Sequence, residues 1–231
     1  MSRRAYDYGP VAWCYDELAG VYSLGRIARS KLAFVASLDP GDRALFVGVG
    51  RGEDALAAAR VGASVTAIDV SEKMLARLGR AAEAEGLALD LVVANLAEFE
   101  PAGQWDHVVA HYFLNCFDAD EAERFATRLA TLVAPGGRFH LADFAPAEGG
   151  RVVALLTAAY YRLVNVAGWL VGLCALHPIP DLPGMLRRSG FEVISVRRFP
   201  IGRGPSPAFH SVTGRRVSVP FDQPSDSGAF P

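Results

Sequence analysis

A chain of 231 residues, 51% apolar and 21% charged, can bury one well-formed α/β core and has little to spare for a second. A formal net charge of −2 leaves no basic footprint, so no nucleic-acid partner is expected. The three cysteines, Cys14, Cys116 and Cys174, suit neither a disulfide scaffold nor a zinc site and favour a reducing cytoplasm.

The opening residues carry two arginines with no apolar run behind them, so no secretory signal is expected. Residues 11–38 read as helical, with apolar positions such as Val35 and Leu38 three apart. Asp39-Pro40-Gly41-Asp42 makes a turn before a short apolar strand, Ala44 to Val47. An alanine-rich helix, Glu53 to Arg60, ends at Gly62, and Ser64 to Ile68 is a second strand. Ser71 is placed to cap the following helix. Leu89 to Ala94 and Trp105 to His111 are the third and fourth strands. A helix from Ala119 to Val133 is expected to stop at Pro135-Gly136-Gly137, with a fifth strand from Arg138 to Phe144.

The most apolar stretch, 152–176, is interrupted by Arg162 and Asn165, so a membrane-spanning helix is not expected. A short helix, Leu182 to Ser189, and two late strands, Phe191 to Arg198 and Ala208 to Arg216, complete the pattern. Strands alternating with helices imply a doubly wound, mostly parallel sheet. A single domain is expected over 1–219, with a helical cap at 1–40, a helical insert at about 147–180 and a loose tail at 220–231.

The densest local signal is Gly48-Val49-Gly50-Arg51-Gly52 at a strand-to-helix junction, where glycines allow a sharp turn and close ligand approach. A nicotinamide dinucleotide fingerprint would need a third glycine at position 53, which is Glu53. A carboxylate there also competes with a pyrophosphate for the helix amides. No Gly-Lys-Ser/Thr follows, which excludes a P-loop. Asp69, about 20 residues further on, is placed to accept hydrogen bonds from the ribose hydroxyls of an adenosine.

From Ala44 to about Ala145 the chain resembles the class I S-adenosylmethionine-dependent methyltransferases. Gly48, Gly50 and Gly52 are similar to the family's G-x-G-x-G loop, and Val65–Leu75 to its second block. Val93–Glu100 is similar to the adenine-flanking stretch, and Leu132–Phe144 to the helix, turn and fifth strand. The resemblance implies a Rossmann-like seven-stranded sheet whose last strand is inserted antiparallel, and S-adenosyl-L-methionine as cofactor. It places the cofactor on Gly48, Val49, Gly50, Gly52, Asp69, Val70, Asn95, Leu96 and His111. Tyr15-Asp16, the apolar insert and Leu186–Val193 are most similar to quinone C-methyltransferases, and Tyr15–Arg26 more weakly to phospholipid N-methyltransferases. One departure stands out: Phe46 occupies the position where the family carries an acid that orients the methionine end. That role falls to other groups such as Glu53 or Asp54.

Methyl transfer is largely a matter of positioning, with a base needed where the acceptor carries a proton. His111 and Tyr112 end the fourth strand, Asp143 ends the fifth, and His177 follows the insert; these are the candidate catalytic residues. His111 has a plainer reading as a histidine lining the cofactor pocket and His177 as a loop histidine, while His140 is expected to be a core histidine on the face opposite Asp143. Tyr15, Tyr160 and Tyr161 are candidates to stack on an aromatic acceptor. The insert suggests a cover over an apolar or aromatic small-molecule acceptor, with a homodimer contact next and a peripheral membrane contact also open. The alternatives are lipid headgroup N-methylation, or cofactor binding with atypical or no methyl transfer. No metal-ligand spacing occurs, so no metal is expected.

Overall fold

A computed structural model describes residues 23–101, 103–170, 172, 174–176, 178–202 and 207–217. Tyr15 and His177 lie outside the described residues. Seven strands form one sheet: β1 (Arg43–Val47), β2 (Ser64–Asp69), β3 (Asp90–Val93), β4 (Trp105–His111), β5 (Val133–Phe144), β6 (Phe191–Pro200) and β7 (Ala208–Arg216). Their order is β3-β2-β1-β4-β5-β7-β6, with β7 antiparallel to both neighbours and the other pairings parallel. The chain winds outward from β1 in both directions, so the β1–β4 boundary is the switch point where such sheets open a crevice.

The helices are α1 (Arg26–Lys31), α2 (Glu53–Arg60), α3 (Glu72–Ala84), α4 (Ala119–Thr131), α5 (Arg151–Leu170) and α6 (Leu182–Arg188). Strand alternation sends Ala44, Phe46, Val65, Ala67 and Val109 to one face of the sheet. There they meet the small inward side chains of α2, Leu75 and Leu78 of α3, and Phe34. Leu45, Val47, Val108, Phe139 and Leu141 go to the other face, against Leu129 of α4 and Leu182 and Leu186 of α6. Three helices are capped by side chains: Ser71 accepts from the Met74 amide, Asp118 from Glu121 and Asp181 from Gly184.

Two expectations need correction. Where it is described, the long N-terminal helix is broken: Leu24 and Gly25 take positive φ (50° and 72°), α1 is a six-residue helix, and a 3-10 turn (Leu32–Ser37) follows. The second correction concerns Pro135-Gly136-Gly137, which is no helix stop. The Trp105 amide takes the Leu132 carbonyl at 2.9 Å, so strand pairing starts at Val133, ahead of the turn residues. Five residues of β5 then pass while β4 advances two, from the Trp105–Val133 pair to the His107–Arg138 pair. The turn residues are absorbed as a bulge. Gly137 is required there, since a Cβ would stand 2.8 Å from the Asp106 carbonyl oxygen.

Candidate active site at the switch point

The glycine loop leaves β1 and is tied to β2 by the Gly48 amide, which donates to the Ile68 carbonyl at 3.0 Å. Gly48, Gly50 and Gly52 all have positive φ, but the space around them differs. A Cβ at Gly48 would strike Phe113 at 2.5 Å, and one at Gly52 would strike Leu78 at 2.6 Å, whereas Gly50 meets nothing within 4 Å. The outer glycines are therefore packing requirements, and Gly50 is the one that faces open space. Asp69 ends β2 beside this opening, with the Ser71 amide donating to its carboxylate at 2.8 Å. Burial pushes the Asp69 pKa up, while the amides of Ser71, Gly50, Val49 and Val70 oppose the rise. Val70 and Asn95 are exposed at the rim, and Asn95 Oδ1 accepts from the Ala97 amide at 3.0 Å. The Val49 and Leu96 side chains point into the core, which leaves their backbone for any contact with a ligand. An opening over Gly50, a carboxylate at the end of β2 and an amide at the end of β3 suit an adenosyl group.

Phe46 is buried against Phe34, with ring centroids 5.9 Å apart, and carries no charge to the site. Glu53 lies at the surface beside Arg51, at 3.2 Å. Asp54 turns inward on the same face of α2 as Ala58. Its Oδ2 stands 2.7 Å from His111 Nδ1 at the end of β4, with both side chains buried. Burial would raise the Asp54 pKa, but the charge of Lys31, the bond from His111 and its own backbone hold it below the usual value. Burial lowers the His111 pKa, although Asp54 opposes this. The lowered pKa favours the neutral ring, in which the proton sits on Nδ1 and is directed at the carboxylate. Its Nε2 is buried and has no hydrogen-bond partner among the described residues.

Tyr112 follows with φ of 53°, a conformation that costs a tyrosine of order 1–3 kcal/mol. Its hydroxyl lies 2.8 Å from Ser30 Oγ of α1, and Lys31 Nζ lies 5.9 Å from its ring. Asp143 leaves the opposite face of the sheet from His111, fully buried, and accepts from Asn115 Nδ2 at 3.1 Å. Burial pushes its pKa up to about 7, against the bonds from Phe144 and Asn115. His111 and Asp143 thus flank the ends of β4 and β5 from two sides. His140 is a core histidine, as its place on the strand suggests. Its Nδ1 lies 3.0 Å from Thr213 Oγ1 and its Nε2 2.9 Å from His107 Nδ1, while His107 Nε2 lies 3.0 Å from Asp42.

The apolar insert forms α5, a 20-residue helix that by length and composition alone is long enough to cross a membrane. One face of it lies on the sheet end. Tyr161 meets Phe144 edge-on at 4.9 Å, and Tyr112, Tyr160, Phe199 and Phe209 join the same cluster. Beyond its end, the Ala175 amide donates to the Cys116 carbonyl at 3.0 Å, pinning the segment over the loop that carries Asn115.

Residues 44–137 match the family model of a methyltransferase domain. Over 205 residues the chain is 31% identical to the ubiquinone/menaquinone biosynthesis C-methyltransferase UbiE of Bartonella henselae, covering 82% of this chain and 72% of that one. It is 28% identical over 168 residues to the ubiquinone biosynthesis O-methyltransferase of Rhizobium leguminosarum bv. trifolii, covering 73% of this chain and 62% of that protein. The 1,6-didemethyltoxoflavin-N1-methyltransferase of Burkholderia thailandensis, solved with 1,6-didemethyltoxoflavin and S-adenosylhomocysteine, has the same fold. Its TM-score is 0.66 over 93% of this chain and 88% of that one, at 19% identity. Fold and site together define a Rossmann-like transferase with an adenosyl cofactor. The chain belongs to the class I S-adenosylmethionine-dependent methyltransferases, and S-adenosylmethionine is its cofactor.

Proposed function

We propose that the enzyme methylates a small apolar or aromatic acceptor of the phenol or quinol type, seated between the underside of α5 and the ends of β4 and β5. The observation that carries this is the aromatic cluster packed there: Tyr112, Phe144, Tyr160, Tyr161 and Phe209 bring rings rather than charges to that end of the sheet. That two relatives bear the names of ubiquinone-pathway enzymes supports the same acceptor class.

The cofactor supplies an electrophilic methyl group on sulfur, and its displacement is in-line. What the chain contributes is orientation and a place for the acceptor proton. The Gly48–Gly52 loop, Asp69 and Asn95 hold the adenosyl part. Asp54 keeps the His111 proton on Nδ1 and favours the imidazolium that forms when Nε2 takes a hydroxyl proton from the acceptor. The strained Tyr112, anchored by Ser30, shapes the wall next to it. α5 and its pinned end exclude water from that space.

The experiment is transfer of radiolabelled methyl from S-adenosylmethionine to a panel of phenols, quinols and phosphatidylethanolamine vesicles. Labelled phenol or quinol products support the reading. Transfer confined to phosphatidylethanolamine would replace it with lipid headgroup N-methylation.

A further inference from the structure

Helix α5 is built inside out. Its buried positions are Thr157, Tyr161, Asn165 and Gly168, and Asn165 Nδ2 donates to the Ala175 carbonyl at 3.1 Å. Its outward positions are a valine and four leucines: Val152, Leu155, Leu156, Leu163 and Leu170 are 56–72% exposed. At 100° per residue, Val152, Leu156, Leu163 and Leu170 fall on one stripe about 40° wide, opposite the buried line. A helix that turns its threonine and asparagine inward and its leucines outward is matched to an apolar exterior.

The charges along the helix say which exterior. Among its 20 residues there is no carboxylate, and the two charged side chains are Arg151 and Arg162. Both fall on the same line as Trp169, 48% exposed, within about 20° around the axis, forming a border next to exposed Leu155 between the leucine stripe and the buried face. A symmetric contact with a second copy would set this arginine border against itself without an acid from either helix. A phospholipid surface supplies the missing anion at the depth where arginine and tryptophan sit, with acyl chains beneath for the leucines. Because Tyr161 and Asn165 hold the other face in the protein, the helix is built to lie on a bilayer rather than to cross it. The geometry points to α5 as a docking helix that seats the enzyme on anionic lipid, with the aromatic acceptor wall directly behind it. The inference rests on the exterior of α5 and stands apart from the identity of the acceptor.

The test is flotation of the full-length protein with phosphatidylcholine vesicles, with and without phosphatidylglycerol, alongside sedimentation velocity without lipid. The wild type is expected to float with the anionic vesicles. Leu155→Glu/Leu163→Glu is expected to abolish flotation, and Arg151→Gln/Arg162→Gln to weaken it on anionic vesicles by roughly 10-fold or more. Both variants should retain wild-type melting and S-adenosylhomocysteine binding, which shows that the fold is intact. Wild-type protein that stays unbound overturns the inference. So does a dimer that Leu155→Glu/Leu163→Glu dissociates, since that would assign the face to a second copy. Neither result bears on methyl transfer to acceptors presented in detergent, which separately tests the acceptor class.

Discussion

Asp54 and His111 are 57 residues apart in sequence, yet Oδ2 of one lies 2.7 Å from Nδ1 of the other, and both side chains are buried. In the neutral ring that this pairing favours, Nε2 is the unprotonated nitrogen, without a hydrogen-bond partner among the described residues. Asp54→Asn and His111→Gln should each lower kcat/KM by roughly 10²–10³-fold, the scale of a lost general base. S-adenosylhomocysteine affinity should change by no more than a few-fold. In the wild type the pKa of His111 is lowered from 6.5, so the rate should be flat at neutral pH and fall only in acid as Nε2 takes up a proton. Steady-state kinetics against pH, with calorimetric titration of each variant, checks this. A variant that loses cofactor binding and rate together would make His111 a cofactor ligand rather than a base.

The loop glycines should separate by phenotype. Gly50→Ala adds a methyl group to open space with φ at 51°, so a stability loss of about 1 kcal/mol is expected. Cofactor affinity should drop by more than about 10-fold, because the added group occupies the ligand's approach. Gly52→Ala meets Leu78 at 2.6 Å, so overpacking of roughly 1–3 kcal/mol adds to the backbone strain and the loss is mainly of fold. Thermal melts with and without S-adenosylhomocysteine distinguish the two.

The buried chain from Asp42 through His107 and His140 to Thr213 has one consistent polarity when both rings are neutral. Asp42 can only accept, so His107 Nε2 donates to it, His140 Nε2 donates to His107 Nδ1, and the Thr213 hydroxyl donates to His140 Nδ1. Burial lowers both histidine pKa values below 6.5, with Asp42 opposing this at His107 and the charge of His107 adding to it at His140. The unfolded chain therefore binds protons first, and stability should decline as pH falls below about 6.5. Thr213→Val removes the terminal donor and should cost about 1–3 kcal/mol at pH 8. Urea unfolding at pH 8, 6.5 and 5 measures both effects.

Asp143 runs the other way. Its carboxyl titrates at about 7 in the fold, against 3.8 when unperturbed, so the folded state holds a proton that the unfolded state has released. Stability should fall as pH rises from about 4 to 7 and stay lowered above that range. Asp143→Asn keeps an acceptor for Asn115 and removes this penalty. It should stabilise the protein at pH 8 by at most about 4 kcal/mol and change little at pH 4. The same unfolding series decides it.

Much of the architecture is legible in the residue pattern because local chemistry dictates it. β4 is bounded by Trp105 and His111 as the apolar run implies, Ser71 caps α3, and the glycine loop opens α2. What escapes is nonlocal. The Asp54–His111 pair exists because β4 lies parallel to β1 and α2 packs over that seam. A sequence signal was present, since Asp54 shares a face with Ala58 on a helix that buries small apolar residues. The Pro-Gly-Gly bulge escapes for the opposite reason: a strong local turn signal is overridden once Trp105 captures the Leu132 carbonyl. The outward leucines of α5 escape because periodicity gives a stripe but not the side on which the protein lies.

The strand order also has a consequence for biosynthesis. β7 is the last described strand to be made, yet it sits between β5 and β6 and is paired to both. Until residues 208–216 emerge from the ribosome, β5 presents an open edge, β6 lacks its β7 partner, and His140 is without the Thr213 hydroxyl. A nascent chain stalled before Ala208 should therefore remain sensitive to protease across β5 and β6, with protection arriving only when β7 slots in. Protection already present in the stalled chain would show that the rest of the sheet closes without it.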